Sequence, residues 1–130
     1  MAELLKYNKW RLLIESKVRD EDLDHYIAYY PDGMINWEGW YRNEMRHRED
    51  EPASIWYYPD GKIEWIEYFR DGEFHREDGP ARIKYYPDGM INWERWYIDG
   101  IEVTGQELEI MKARVKYEKS MREMGLKELL

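Results

Sequence analysis

Apolar and polar residues alternate with period two through most of this chain, and the alternation restarts at a fixed interval. Ile83, Tyr85, Ile91 and Trp93 bracket the tripeptide Pro87-Asp88-Gly89. With that tripeptide as a three-residue hairpin loop, Tyr86 faces Met90, Tyr85 faces Ile91 and Ile83 faces Trp93. Alternation then collects the four residues on one side of a two-stranded ribbon. The same positions hold Ile55, Tyr57, Ile63 and Trp65 earlier in the chain, and Ile27, Tyr29, Ile35 and Trp37 earlier still. The opposite side varies, with Ala28 and Asn36, then Trp56 and Glu64, then Lys84 and Asn92. A strict side beside a free side predicts a packed face and a solvated one. The twelve strict residues are read as structural framework.

The period is 28 residues. YYPDGMINWE occupies 29–38 and again 85–94, with a looser copy, YYPDGKIEWI, at 57–66. This divides residues 19–102 into three units, 19–46, 47–74 and 75–102, of which the second and third match at 16 of 28 positions. Pro presets φ at the second position of the turn, Asp favours the next, and Gly supplies the left-handed residue that follows. A second reversal is expected at Asp71-Gly72 and Asp99-Gly100, both two-residue hairpin signals, and a looser one at Asn43-Glu44. A short third strand would then run through His-Arg-Glu-Asp before a reversal at Asp78-Gly79-Pro80. The expected fold is mainly β: a meandering antiparallel β-hairpin repeat array with a C-terminal α-helix.

The two ends differ from the units. Residues 1–18 form a capping segment with two readings. Leu4, Leu5, Leu12, Leu13 and Ile14 suit one face of a short helix, whereas alignment of Lys9–Val18 with Trp65–Phe74 suits a decayed half-repeat with a strand at Trp10–Ile14. The second is preferred, because a strand there covers an open sheet edge. In 103–130, Thr104 and Glu107 have capping-box spacing, so a helix is expected from there to about Glu123 or Met124. Leu108, Met111 and Val115 share one face and would dock, while Ile110, Tyr117, Met121 and Met124 lie nearly opposite. Gly125 interrupts, and Leu126, Leu129 and Leu130 follow.

Composition narrows the function. Twelve Tyr and seven Trp accompany only two Phe, and aromatics with a polar tip suit half-buried sheets and binding faces. The absence of Cys removes disulfides and thiolate chemistry. The N-terminus has no apolar run of signal-peptide length and no stretch is long enough to span a bilayer, so a cytoplasmic protein is expected. Residues 19–104 hold 21 acidic and 10 basic side chains, so the repeat body carries more negative charge than the whole chain's −8. That argues against phosphate-backbone and anionic-membrane binding and favours a protein partner with a basic surface.

The motifs resemble the MORN-repeat-variant family: the YYPDG turns at 29–33, 57–61 and 85–89, the RDG and IDG turns at 70–72 and 98–100, and HREDGPA at 75–81. Glu51 and Leu23-Asp24 depart from the pattern where the joint would read Gly or Gly-Pro. The resemblance covers residues 19–102. It implies a β-hairpin repeat scaffold of the kind found in viral, phage and antitoxin-like proteins.

No motif requires catalysis, a cofactor or a metal. His47 and His75 recur beside Arg48 and Arg76 and beside Asp50 and Asp78, but one His per unit falls short of metal-ligand spacing, so a structural joint is preferred. Adjacent carboxylates such as Glu49/Asp50 and Glu77/Asp78 are read as solvated charge rather than a glycosidase pair. The candidate partner-binding residues are the free-face aromatics Trp40, Trp56, Tyr58, Tyr68, Tyr86 and Trp96, with Tyr117, Met121 and Met124 on the helix. The expectation is a non-enzymatic protein-binding module that blocks its partner through the acidic body and the helix, the helix also offering a route to a homo-oligomer. An aromatic platform for small molecules or glycans, and an acidic mimic of nucleic acid, are the alternatives.

Overall fold

The computed structural model describes residues 3–8 and 11–20, as backbone, and residues 23–126. Trp10, Leu129, Leu130 and the Glu21-Asp22 half of the first joint lie outside them. The chain is mainly antiparallel β with one C-terminal helix, the expected class. At the N-terminus β1 (Glu3–Asn8) and β2 (Arg11–Asp20) pair as a hairpin, so this segment takes the strand alternative. There follow β3 (Leu23–Tyr29), β4 (Ile35–Arg42), β5 (Met45–Arg46), β6 (Ser54–Tyr57), β7 (Ile63–Glu67), β8 (Phe69–Arg70), β9 (Glu73–Phe74), β10 (Arg82–Tyr85), β11 (Ile91–Ile98), β12 (Ile101–Val103) and α1 (Gly105–Glu123). The main sheet runs β1-β2-β3-β4-β6-β7-β10-β11-β12, with β5 on β4 and a separate ribbon of β8 and β9.

The turns follow from their residues. In each Tyr-Tyr-Pro-Asp-Gly loop the second Tyr N–H donates to the residue after Gly, and the Gly N–H donates back to that Tyr, as at Tyr86, Met90 and Gly89. Gly33, Gly61 and Gly89 have φ near +91 to +93°, which a side chain would strain. The following amide is capped by the loop Asp, with Met34, Lys62 and Met90 donating to Asp32, Asp60 and Asp88. In the second turns both central residues have positive φ: 48° and 85° at Asp71-Gly72, 46° and 81° at Asp99-Gly100. Asn43-Glu44 adopts the same turn at 51° and 65°, not a looser one, and Glu44 bears about 1 kcal/mol of left-handed strain. His-Arg-Glu-Asp is not a strand. The third strand stops at Arg46 and Phe74, and the four residues that follow form a joint loop.

Each long hairpin carries one extra residue, and this overturns the expected register. Tyr85 faces Ile91 as expected, but Lys84 faces Trp93 and Ile83 faces Glu94, so Asn92 is bulged. The first two hairpins do the same at Asn36 and Glu64. A bulge flips every later side chain on its strand to the other face. The strict set is therefore split. Ile27, Tyr29 and Ile35 keep one face and their equivalents keep it with them, while Trp37, Trp65 and Trp93 move to the other. There the tryptophans are half-buried. Trp37 meets Trp56 at 5.8 Å between centroids, and Trp65 meets Trp93 edge-on at 5.4 Å. Burial of the framework set is also uneven: Ile83 is buried, whereas Ile63 and Ile91 are exposed.

The core lies further along each unit. Ala53, Ala81, Trp40, Trp96, Phe69, Ile66 and Ile83 are buried, and Ile66 lies between Ile55 and Ile83 across three strands. Small alanines at 53 and 81 let consecutive units approach. The Ala53 carbonyl accepts the Trp40 N–H, and the Ala81 carbonyl accepts the Tyr68 N–H. The helix begins and ends where expected, although the Thr104 side chain makes no cap bond. Its C-terminus closes on Gly125, with Gly125 N–H donating to Arg122 and Leu126 N–H to Met121, a Schellman pattern.

Candidate functional site

The joints are held by recurring hydrogen bonds and ion pairs, although the buried His75 Nε2 has no hydrogen-bond partner among the described residues. His47 is buried, and its Nδ1 accepts the Asp71 N–H at 3.0 Å; His75 accepts the Asp99 N–H at the same distance. An Nδ1 that accepts leaves the ring proton on Nε2, which in His47 points at Glu49 at 3.0 Å. Arg48 and Arg76 lie 4.0 Å over the Trp40 and Tyr68 rings and donate to the Pro52 and Pro80 carbonyls. Arg42 pairs with Asp71, and Arg70 with Asp99. Arg42 is the main reason that the Asp71 carboxyl is held below its ordinary pKa. Each His thus fixes the backbone of a turn in its own unit while its loop stacks on the unit before, a structural assignment. No group of three or more metal-binding side chains occurs among the described residues.

A second set of bonds crosses between units at the hairpin end. The Tyr30 hydroxyl donates to the Tyr57 carbonyl at 2.6 Å, and Tyr58 to the Tyr85 carbonyl at 2.7 Å. Glu38 accepts from the Tyr57 hydroxyl and faces His25 Nε2 at 3.0 Å. The bond with His25 draws the Glu38 pKa down, against its desolvation, with Tyr57 adding to the lowering. Burial, then the Glu38 carboxylate, pushes the Tyr57 phenol up, and burial does the same to Tyr68.

These contacts relocate the candidate residues. Trp40 and Trp96 are core, because the bulge returns them to the packed face, where His25 stacks on Trp40 at 4.4 Å. Met121 is buried as well, on the docked side of α1 with Met111 and not on the opposite face where it was expected. Tyr58 is spent on its bond to Tyr85, and Tyr68 lies under Arg76. Trp56 is half-buried in a shallow groove with Arg46, Glu64, Trp65, Glu67 and Lys84. Tyr86, Tyr117 and Met124 are exposed, as a contact surface requires.

The helix docks through Leu108, Met111 and Val115 as expected, with Met121 beside them. It brings Arg114, Lys119 and Arg122 to the acidic joint residues Glu77 and Asp78, and Arg114 donates to the Glu77 carbonyl. Arg122 also lines the hollow shared with Glu49 and Asp50. On its other side α1 leaves a groove of about 460 Å³ against the last unit, lined by Ile98, Ile101, Val103, Ile110 and Met111 and rimmed by Glu102, Glu107 and Arg114. Ile101 is 73 % exposed and Ile110 63 %.

Comparison of the chain with protein-family models, with curated proteins and with solved structures gives no match. Ile101 was not among the sequence candidates, and Ile110 was placed only on the far side of the helix. The available signal was Val103, an apolar residue in the place of His47 and His75 where a further joint would begin, with Ile101 two residues before it. Ile110, Tyr117 and Met124 are spaced by seven residues and share one exposed stripe of α1.

Proposed function

We propose that the chain is a non-enzymatic, protein-binding repeat module of the MORN-variant type, acting in the cytoplasm to block a partner protein. One observation supports this best: the apolar groove at the end of the sheet, continued along α1 by exposed Tyr117 and Met124. Large apolar side chains exposed together rather than singly suit a protein contact. The acidic rim residues Glu102 and Glu107 suit a partner with basic residues around an apolar contact. The joint carboxylates contribute less, since basic residues of α1 lie beside them. The same interleaving weakens the reading as a nucleic-acid mimic.

The test is affinity capture from cells of the native host, with Ile110→Asp and Tyr117→Asp set against Lys62→Asp on an exposed loop. The first two variants should lose a partner that the third retains, with all three folded by circular dichroism. Equal retention by all three sinks the proposal. A ligand-binding reading has one observation in its favour. The Trp65 indole N–H is buried without an acceptor, and Trp65 lines the groove with Trp56, Glu64 and Lys84. Glycan binding that survives Trp56→Ala would remove that reading.

A further inference from the structure

Both internal sheet joints are made from the same parts. The free edge of β4 takes β6, with Trp37 opposite Trp56 and Glu38 opposite Ile55. The free edge of β7 takes β10, with Trp65 opposite Lys84 and Ile66 opposite Ile83. Each joint is then tied by a Tyr hydroxyl of the earlier unit donating to the Tyr carbonyl of the incoming strand.

The last unit carries the same edge, and no described strand lies on it. Residues 91–94 repeat residues 35–38 letter for letter. Among the described residues no strand pairs with β11 at 93–95 beyond β10, since β12 begins opposite Trp96. Ile91 is 52 % exposed, and Tyr86, the equivalent of Tyr30 and Tyr58, is 48 % exposed, its hydroxyl making no bond to another described residue. The described part of the helix turns back along the joints, away from this edge.

At the other end of the sheet β1 is the outermost strand, and it uses one edge on β2. Its residues Leu5-Lys6-Tyr7 correspond to Ile83-Lys84-Tyr85, the strand that fills the second internal joint. With Asn8 and Arg11 closing the hairpin, alternation along the ladder turns the peptide groups of Leu5 and Tyr7 outward. The Tyr85 carbonyl is likewise turned away from its own hairpin, to accept Tyr58.

We propose that copies of this chain join head to tail, β1 of one copy adding to the bare edge of β11 on another. The register of the internal joints sets Leu5 opposite Glu94 and Lys6 opposite Trp93, and offers the Tyr86 hydroxyl the Tyr7 carbonyl. The inference concerns self-assembly and does not depend on the proposed partner. Such a contact uses two different surfaces, so it extends into open chains unless the rotation closes a ring. Because each copy carries −8, salt should favour it by screening the repulsion between copies.

The test uses the full chain, which has no native Cys. Sedimentation velocity over about a hundred-fold range of concentration should show mass rising by whole copies, more at high salt. Glu94→Pro should abolish the rise, because it removes an outward N–H without touching the pairing with β10. Tyr86→Phe should weaken it several-fold. Leu5→Cys and Glu94→Cys proteins, oxidised together, should give a mixed disulfide dimer and little of either homodimer, since facing strand positions fall within disulfide reach. A chain monomeric at every concentration overturns the proposal. So does a Glu94→Cys homodimer in place of the mixed one, which would mean that two β11 edges pair with each other.

Discussion

His47 and Asp71 lie 24 residues apart in sequence, yet the imidazole Nδ1 of the first accepts the backbone N–H of the second at 3.0 Å. The bond holds the first left-handed residue of a tight turn, and His75 repeats it on Asp99. His47→Ala empties the space of a buried ring and leaves the half-buried Asp71 amide without its acceptor, and should cost about 2–3 kcal/mol in urea unfolding. His47→Asn, whose carboxamide oxygen can take the Nδ1 position, should recover part of that loss. Zinc or a chelator should leave the midpoint of the wild-type protein unchanged. A metal-dependent midpoint would contradict the structural role given to this His.

Gly39 gives a sharper test of packing. A Cβ there would overlap the Trp37 indole, which folds across it to donate to the Ser54 hydroxyl at 2.9 Å. Gly39→Ala should displace that ring, cost about 1–3 kcal/mol and shift the tryptophan fluorescence. The later units carry Glu67 and Arg95 at this position, and Arg82 stands where Ser54 does. A variant as stable as wild type, with unchanged fluorescence, would show that Trp37 packs elsewhere.

The two sides of α1 should respond differently. Met111→Ala removes a buried side chain and should cost about 2–4 kcal/mol. Ile110→Ala, on the exposed stripe, should change stability by no more than about 0.5 kcal/mol. Equal losses at the two positions would mean that the helix lies on the sheet with another face.

Acid and alkali should act at different groups. Glu38 has a lowered pKa in the fold, so its contribution is present above the ordinary value of 4.5 and lost as pH falls through the folded value. Glu38→Gln should flatten the fall in stability below that pH. Tyr57 and Tyr68 have raised values, so their contribution is complete below pH 10 and lost as pH rises past it. Absorbance at the tyrosinate band should show part of the twelve Tyr titrating late, together with unfolding. Titration of all twelve near pH 10 with the fold intact would refute this.

The turns were legible because their residues have few alternatives: the three Pro-Asp-Gly loops and the Asp71-Gly72 and Asp99-Gly100 pairs place their glycines at positive φ as expected, whereas Asp78-Gly79, held in the joint before Pro80, does not. The helix was legible for a similar reason, from Thr104 to Gly125. What alternation could not reveal was the bulge. Asn36, Glu64 and Asn92 share no side-chain feature that marks an extra residue, and the strand continues on both sides of them. One uncounted residue exchanged the faces, sending Trp37 outward and drawing Trp40 and Trp96 into the core. The candidate groove was hidden for another reason. Ile101 and Ile110 meet only when the last strand and the helix fold against each other, and no local pattern records that meeting.

The hydroxyls of Tyr30 and Tyr58 spend their bonds on a neighbour's backbone, not on their own hairpin. Cohesion therefore belongs to adjacency, as it does in a stack of coins, and a hairpin excised alone would lose its principal ties. Length is consequently an adjustable quantity. Excising or copying a whole 28-residue stretch rejoins edges of matching backbone register, so such a gene can grow or shrink by unequal exchange once side chains such as Ser54 and Arg82 are adjusted at the new joint.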